Sequence, residues 1–157
     1  MGLFDFLKGK EKKDSNEDLT EECLDRIMTI LQVQTTMVTG SLAPLNSVPK
    51  IEWIQGYLFG HIDMFLSVSK LKDNEKAWHK IVLRVYRNYF GEEDGNNIYK
   101  SVGDLLKNKS FNDGRQVGGQ DLHDYLKKGE KFPPMGMVIY LRKEYKKYQQ
   151  RKKSKLI

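Results

Sequence analysis

The sequence predicts an all-α fold, a single-domain bundle of five or six helices packed around a central apolar helix at about residues 47–71. Three observations lead there. Apolar residues recur at three- and four-residue spacing along most of the chain, no segment alternates with the period of two that marks a strand, and residues 47–71 are apolar on two sides. A chain of 157 residues holds one core without needing disulfides or a structural metal.

The amino terminus, with Leu3, Phe4, Phe6 and Leu7 ahead of Lys8, Lys10, Lys12 and Lys13, reads as a short amphipathic leader. Residues 8–18 hold almost nothing apolar, so residues 1–17 are assigned to a leader and mobile charged linker, residues 18–150 to the helical domain, and residues 151–157 to a basic tail. The leader has neither the order nor the cleavage site of a secretory signal, and Phe6 stands where an N-myristoylation motif needs serine or threonine.

A first helix is expected from Leu19 to Thr39, with Leu24, Ile27, Met28, Leu31 and Val38 as its apolar face and Gly40 as its stop. Glu21, Glu22 and Asp25 suit the positive end of its dipole. After a connector containing Pro44, Ser47 and Pro49 read as the start of the central helix. One of its stripes is Ile51, Ile54, Leu58, His61, Phe65 and Val68; the other is Trp53, Tyr57, Gly60, Met64, Ser67 and Leu71. Glu52, Gln55, His61 and Asp63 interrupt it, which argues against a membrane span. Gly56 and Gly60 predict a tight helix crossing, because mid-helix glycine costs about 0.8–1.0 kcal/mol relative to alanine and a close contact must offset it.

A third helix is expected over residues 74–90, capped at Asp73 or Asn74 and stopped by Gly91. Shorter helices follow at 95–107 and 118–128, with Gly114, Gly118 and Gly119 read as marking a helix boundary. Pro133 and Pro134 open the last helix, whose apolar stripe is Met137, Val138, Leu141, Tyr145 and Tyr148.

Chemistry-bearing motifs are few. Cys23 is the single cysteine, which excludes an internal disulfide, favours a reducing compartment and leads to a cytoplasmic assignment. His61 and Asp63 point about 200° apart on a helix, so they share no site, and His61 is expected to be a hydrogen-bonded core histidine. His79 follows Glu75 by one turn, and His123 lies among Asp121 and Asp124. No zinc-protease, di-iron, EF-hand or phosphate-loop spacing occurs, so neither metal nor cofactor is expected.

Charge is the remaining signal. The net charge is +6, with +7 on the residues from Arg142 onward and +2 on the first thirteen, leaving the body acidic. Lys76, Lys80, Arg84 and Arg87 form a stripe on the third helix, and Arg142, Lys143, Lys146 and Lys147 a second on the last; both are candidate anion-binding groups. Phe59, Asp63 and Leu66 lie on the remaining face of the central helix and are candidates for a partner face. The leading expectation is a non-catalytic helical adaptor or regulator that binds another protein or a second copy of itself. The alternative is a peripheral binder of nucleic acid or anionic lipid through the basic ends, with weak affinity, and third comes an enzyme with an unrecognised polar pocket.

Overall fold

The computed structural model describes residues 16–39, 51–129 and 131–154. Among these the chain is all-α: α1 (Asn16–Thr39), α2 (Glu52–Ser67), α3 (Glu75–Phe90), α4 (Glu92–Lys100), α5 (Val102–Leu105), α6 (Lys109–Lys127) and α7 (Gly136–Ser154). None of the helices is long and apolar enough to cross a membrane among the described residues. The leader, the connector with Gly40, Pro44, Ser47 and Pro49, and the end of the basic tail lie outside the described residues.

The central helix is shorter and more completely enclosed than its sequence suggests. α2 begins after Ile51 as N-cap and ends at Ser67. Ser67 and Ser69 hydroxyls donate to the Met64 and Leu66 carbonyls, and the Leu71 amide donates to Ser69 Oγ at 3.0 Å. Serine hydroxyls that compete for backbone groups end the ladder there. Within α2, every residue from Ile54 to Ile62 is buried, together with Phe65 and Leu66. Phe59 and Leu66 therefore sit in the core and do not form an open partner face: Phe59 packs on Trp78 of α3 and Phe111 of α6, with ring centroids 5.5 and 5.6 Å apart.

α2 and α6 cross with their backbones in contact. Gly114 and Gly118 are spaced like Gly56 and Gly60, and the two pairs interlock. A Cβ on Gly56 would overlap the Phe111 carbonyl, on Gly60 that of Arg115, on Gly114 that of Trp53, and on Gly118 that of Tyr57. The glycines read as a helix boundary are thus the middle of a 19-residue helix capped by Asn108, whose side chain accepts the Phe111 amide at 3.0 Å. Four bare Cα positions let the axes approach closer than side chains permit, as in small-xxx-small crossings. That contact offsets what four mid-helix glycines cost in propensity.

The remaining helices close around this pair. α3 matches its sequence pattern, with Asn74 as N-cap accepting from Ala77 and Gly91 at φ +88° as C-cap. Gly91 also starts α4, earlier than expected, because Glu92, Glu93 and Asp94 supply the acidic first turn that a helix start favours. Gly95 lets α4 fold back against α3: a Cβ there would lie 2.6 Å from the Arg87 Cα. Ser101 divides the expected fourth helix into α4 and α5. α1 contributes buried Cys23, Leu24, Ile27 and Leu31, and α7 contributes Met137, Val138 and Leu141. The side chains of Val38, Tyr145 and Tyr148 lie outside the described residues.

The interlocked crossing sets a sharp mutational contrast. Gly56→Ala or Gly114→Ala is expected to cost at least the 1–3 kcal/mol typical of overpacking, roughly, because the obstacle is backbone. Gly103→Ala, in α5 with nothing within 4 Å of its added Cβ, is expected to be neutral or to stabilise by about 0.4–1 kcal/mol. Urea denaturation of the three variants reads the difference.

Candidate functional site

Along the α2–α6 seam runs a groove of about 530 Å³, lined by Gly60, Asp63, Met64, Ser67, Asn112, Arg115, Gln116, Gly119 and Gln120. Its floor is a consequence of the crossing, since Gly60 and Gly119 put main chain where side chains would stand. Arg115 and Asp63 pair across it, Nη2 to Oδ2, at 3.1 Å. The Arg115 guanidinium also lies over the Phe59 ring, 5.3 Å from its centroid, a second contact that holds it against the core. Both charged groups are nearly half exposed, so the pair orients more than it stabilises. Asn112 donates to the Leu106 and Asn108 carbonyls and Gln120 to Asp124, so two amides on the rim are held in place.

Beneath the other side of α2 is a polar knot that ties four helices together. Tyr57 Oη lies 2.9 Å from Asp121 Oδ2 and 3.0 Å from the Gln34 side-chain amide. A phenol has one proton, and the carboxylate is the stronger acceptor. The hydroxyl therefore donates to Asp121, and exchanging the Gln34 amide oxygen now facing it for Nε2, which lacks a partner among the described residues, would let Gln34 donate to the phenol oxygen. Asp121 also accepts the Gly136 amide at 2.6 Å. A carboxylate from α6 thus stands at the positive end of α7. Burial, and after it the Asp121 charge, push the Tyr57 phenol far above its ordinary range, so it stays protonated as a donor.

An aromatic ladder rises from this knot. Tyr140 of α7 stacks on Trp53 at 3.9 Å and 1°, Trp53 lies 5.5 Å from Tyr57, and Tyr57 lies 5.8 Å from His61. His61 is fully buried, as a core position requires, but among the described residues neither ring nitrogen meets a partner at full hydrogen-bond geometry, where the sequence predicts a satisfied histidine. Burial lowers it to about 3, with the Gly118 backbone opposing weakly. Neutral imidazole is the form the core accepts.

The basic stripes divide. Lys80 bridges to Glu21 at 2.7 Å and Glu17 at 3.8 Å, and its hydrogen bond, followed by its charge, holds Glu21 below the usual carboxylate range. Arg84 adds to the field on Glu21, and Arg87 donates to Asn96 at 2.8 Å. This stripe joins α3 to the acidic start of α1 and to α4, while Lys76 and Arg84 remain exposed. On α7, Arg142 and Lys143 are exposed, Lys147 pairs with Glu144 at 2.8 Å, and the Lys146 side chain lies outside the described residues.

Cys23 is buried, and burial raises its thiol to about 11, which makes it a packing group and a poor nucleophile. His79 joins Glu75 at 3.5 Å and Tyr99 at 2.5 Å on an exposed surface, and His123 lies 3.4 Å from Asp124. Among the described residues no three His, Cys, Asp or Glu side chains are grouped to hold a metal. Comparison with protein-family models, curated proteins and solved structures finds no match to this chain.

Two outcomes follow from the knot and the ladder. Tyr57→Phe, which deprives both Asp121 and Gln34 of a partner, is expected to cost about 1–3 kcal/mol in denaturant titration. For His61 the folded value of about 3 lies below the unfolded value of 6.5, so the unfolded chain binds the extra proton. Its contribution is intact above pH 6.5 and is lost as pH falls toward 3, by up to about 1.4 kcal/mol per pH unit. His61→Leu should flatten that part of the stability profile, and parallel profiles for the two proteins would refute this account.

Proposed function

We propose that the protein is a non-catalytic interaction module that binds a segment of another protein in the α2–α6 groove. The observation that carries this reading is the composition of the groove: a carboxylate, a guanidinium and three side-chain amides along a glycine floor. Amides and a charged pair of both signs supply donors and acceptors together, which suits the main chain and polar side chains of a peptide. The glycine floor lets that main chain come close, and Met64 offers an adaptable apolar contact. Its volume falls within the range of about 300–1,000 Å³ usual for binding clefts.

Preorganisation adds to the argument. Arg115 is held by Asp63 and Phe59, and Asn112 and Gln120 by their own neighbours, so binding would freeze few side chains. The inert, buried Cys23 fits a protein of a reducing compartment, which is the basis for placing it in the cytoplasm.

Selection of displayed peptides against the full chain tests the proposal, with nuclear magnetic resonance to map where the selected peptides bind. Shifts are expected at Asp63, Met64, Gln116 and Gly119, and Arg115→Ala should weaken binding about tenfold, the loss of one charge-assisted hydrogen bond. Peptides that map elsewhere, or affinities indifferent to Arg115, would overturn it. A concentration-dependent dimer in ultracentrifugation that Arg115→Ala dissolves would identify the bound segment as part of a second copy.

A further inference from the structure

We propose that the corner between the end of α6 and the first turns of α7 docks onto an anionic lipid bilayer. Two large apolar side chains stand out there: Phe132 is 73% exposed and Ile139 is 64% exposed, the highest values among the exposed large hydrophobic residues described. Lys127, Lys128, Lys131, Arg142 and Lys143 are all exposed around them along the chain. Within residues 127–143 the only carboxylate is that of Glu130.

The local architecture explains why these groups face solvent. Phe132 is followed by Pro133 and Pro134, whose rings fix the backbone, and Pro134 is buried, which anchors the chain two residues after the exposed phenylalanine. The Gly136 amide is held by Asp121 directly afterward. On α7, Met137, Val138 and Leu141 turn into the core. Ile139 is left on the outer side, with Arg142 and Lys143 three and four residues further along the same face. Arg142 also reaches the Met37 carbonyl at 3.4 Å, and Glu144 is occupied by Lys147.

Charge complementarity selects a polyanionic occupant, and the apolar pair selects among polyanions. Lysines flanking an exposed phenylalanine and isoleucine match a bilayer, where the cations meet phosphoserine headgroups and the apolar tips enter the acyl boundary. Duplex nucleic acid would satisfy the cations and leave Phe132 and Ile139 in water. This surface is separate from the α2–α6 groove, and either reading stands without the other.

The test is co-sedimentation of the full chain with phosphatidylcholine vesicles, with and without phosphatidylserine. Binding is expected only with phosphatidylserine. Phe132→Ala combined with Ile139→Ser should lower partitioning about tenfold, and each of Lys127→Gln, Lys128→Gln and Lys131→Gln about fivefold. These side chains are exposed, so circular dichroism should be unchanged. In F132W, brominated acyl chains should quench emission beyond the wild-type level. Partitioning lost in F4A/F6A but kept in the Phe132/Ile139 variant would assign any lipid binding to the amino terminus and overturn the proposal. So would binding to duplex DNA with no acyl-chain quenching, or the absence of binding to phosphatidylserine.

Discussion

Backbone contact between α2 and α6 is the constraint on which the other packing depends. Side chains ordinarily keep helix axes 8–10 Å apart and give the interface some freedom to repack. Here carbonyl oxygens of Phe111, Arg115, Trp53 and Tyr57 occupy the places where Cβ atoms of the opposite helix would be. That interlock fixes register and crossing together, because sliding either helix by a residue would bring a side chain onto a carbonyl. It puts Phe59 against Phe111 and Arg115 beside Asp63. The groove is its edge.

Around this rigid pair the helices are attached by chemically different means. α1 is joined by apolar burial and by ion pairs from Glu17 and Glu21 to Lys80, which are partly exposed and salt-sensitive. Its Gln34 joins the interior knot, and Thr35 bonds Tyr89 of α3 at 3.1 Å. α3 reaches the central helix through the Tyr86 hydroxyl, which donates to the Gln55 carbonyl at 3.0 Å. α7 is held at its start, where Asp121, Tyr57 and the Tyr140–Trp53 stack converge.

The helical class, the central role of α2 and the caps of α3 were legible because each rests on local rules: spacing, an Asn N-cap, a Gly C-cap. The tight crossing was legible from Gly56 and Gly60, but its partner was not recognised, although Gly114 and Gly118 repeat the same spacing. Glycine in a polar sequence resembles a turn, and only a facing glycine pair reverses that reading. Phe59 fails as a surface candidate for the same reason, since Phe111, one of the rings that cover it, lies in the half of α6 that precedes the expected helix start at 118. Long-range pairings such as Lys80 with Glu21, or Tyr57 with Asp121, leave no local signature.

The stacking of Trp53 on Tyr140 has a spectroscopic consequence. The two tryptophans stand in different surroundings: Trp53 lies between Tyr57 and an α7 ring, whereas Trp78 meets Phe59 and His79 edge-on. Their emission is thus governed by different neighbours, one set including the last helix and the other confined to α2 and α3. Single-tryptophan variants would resolve whether detachment of α7 and melting of the bundle centre are one event or two, without any added label.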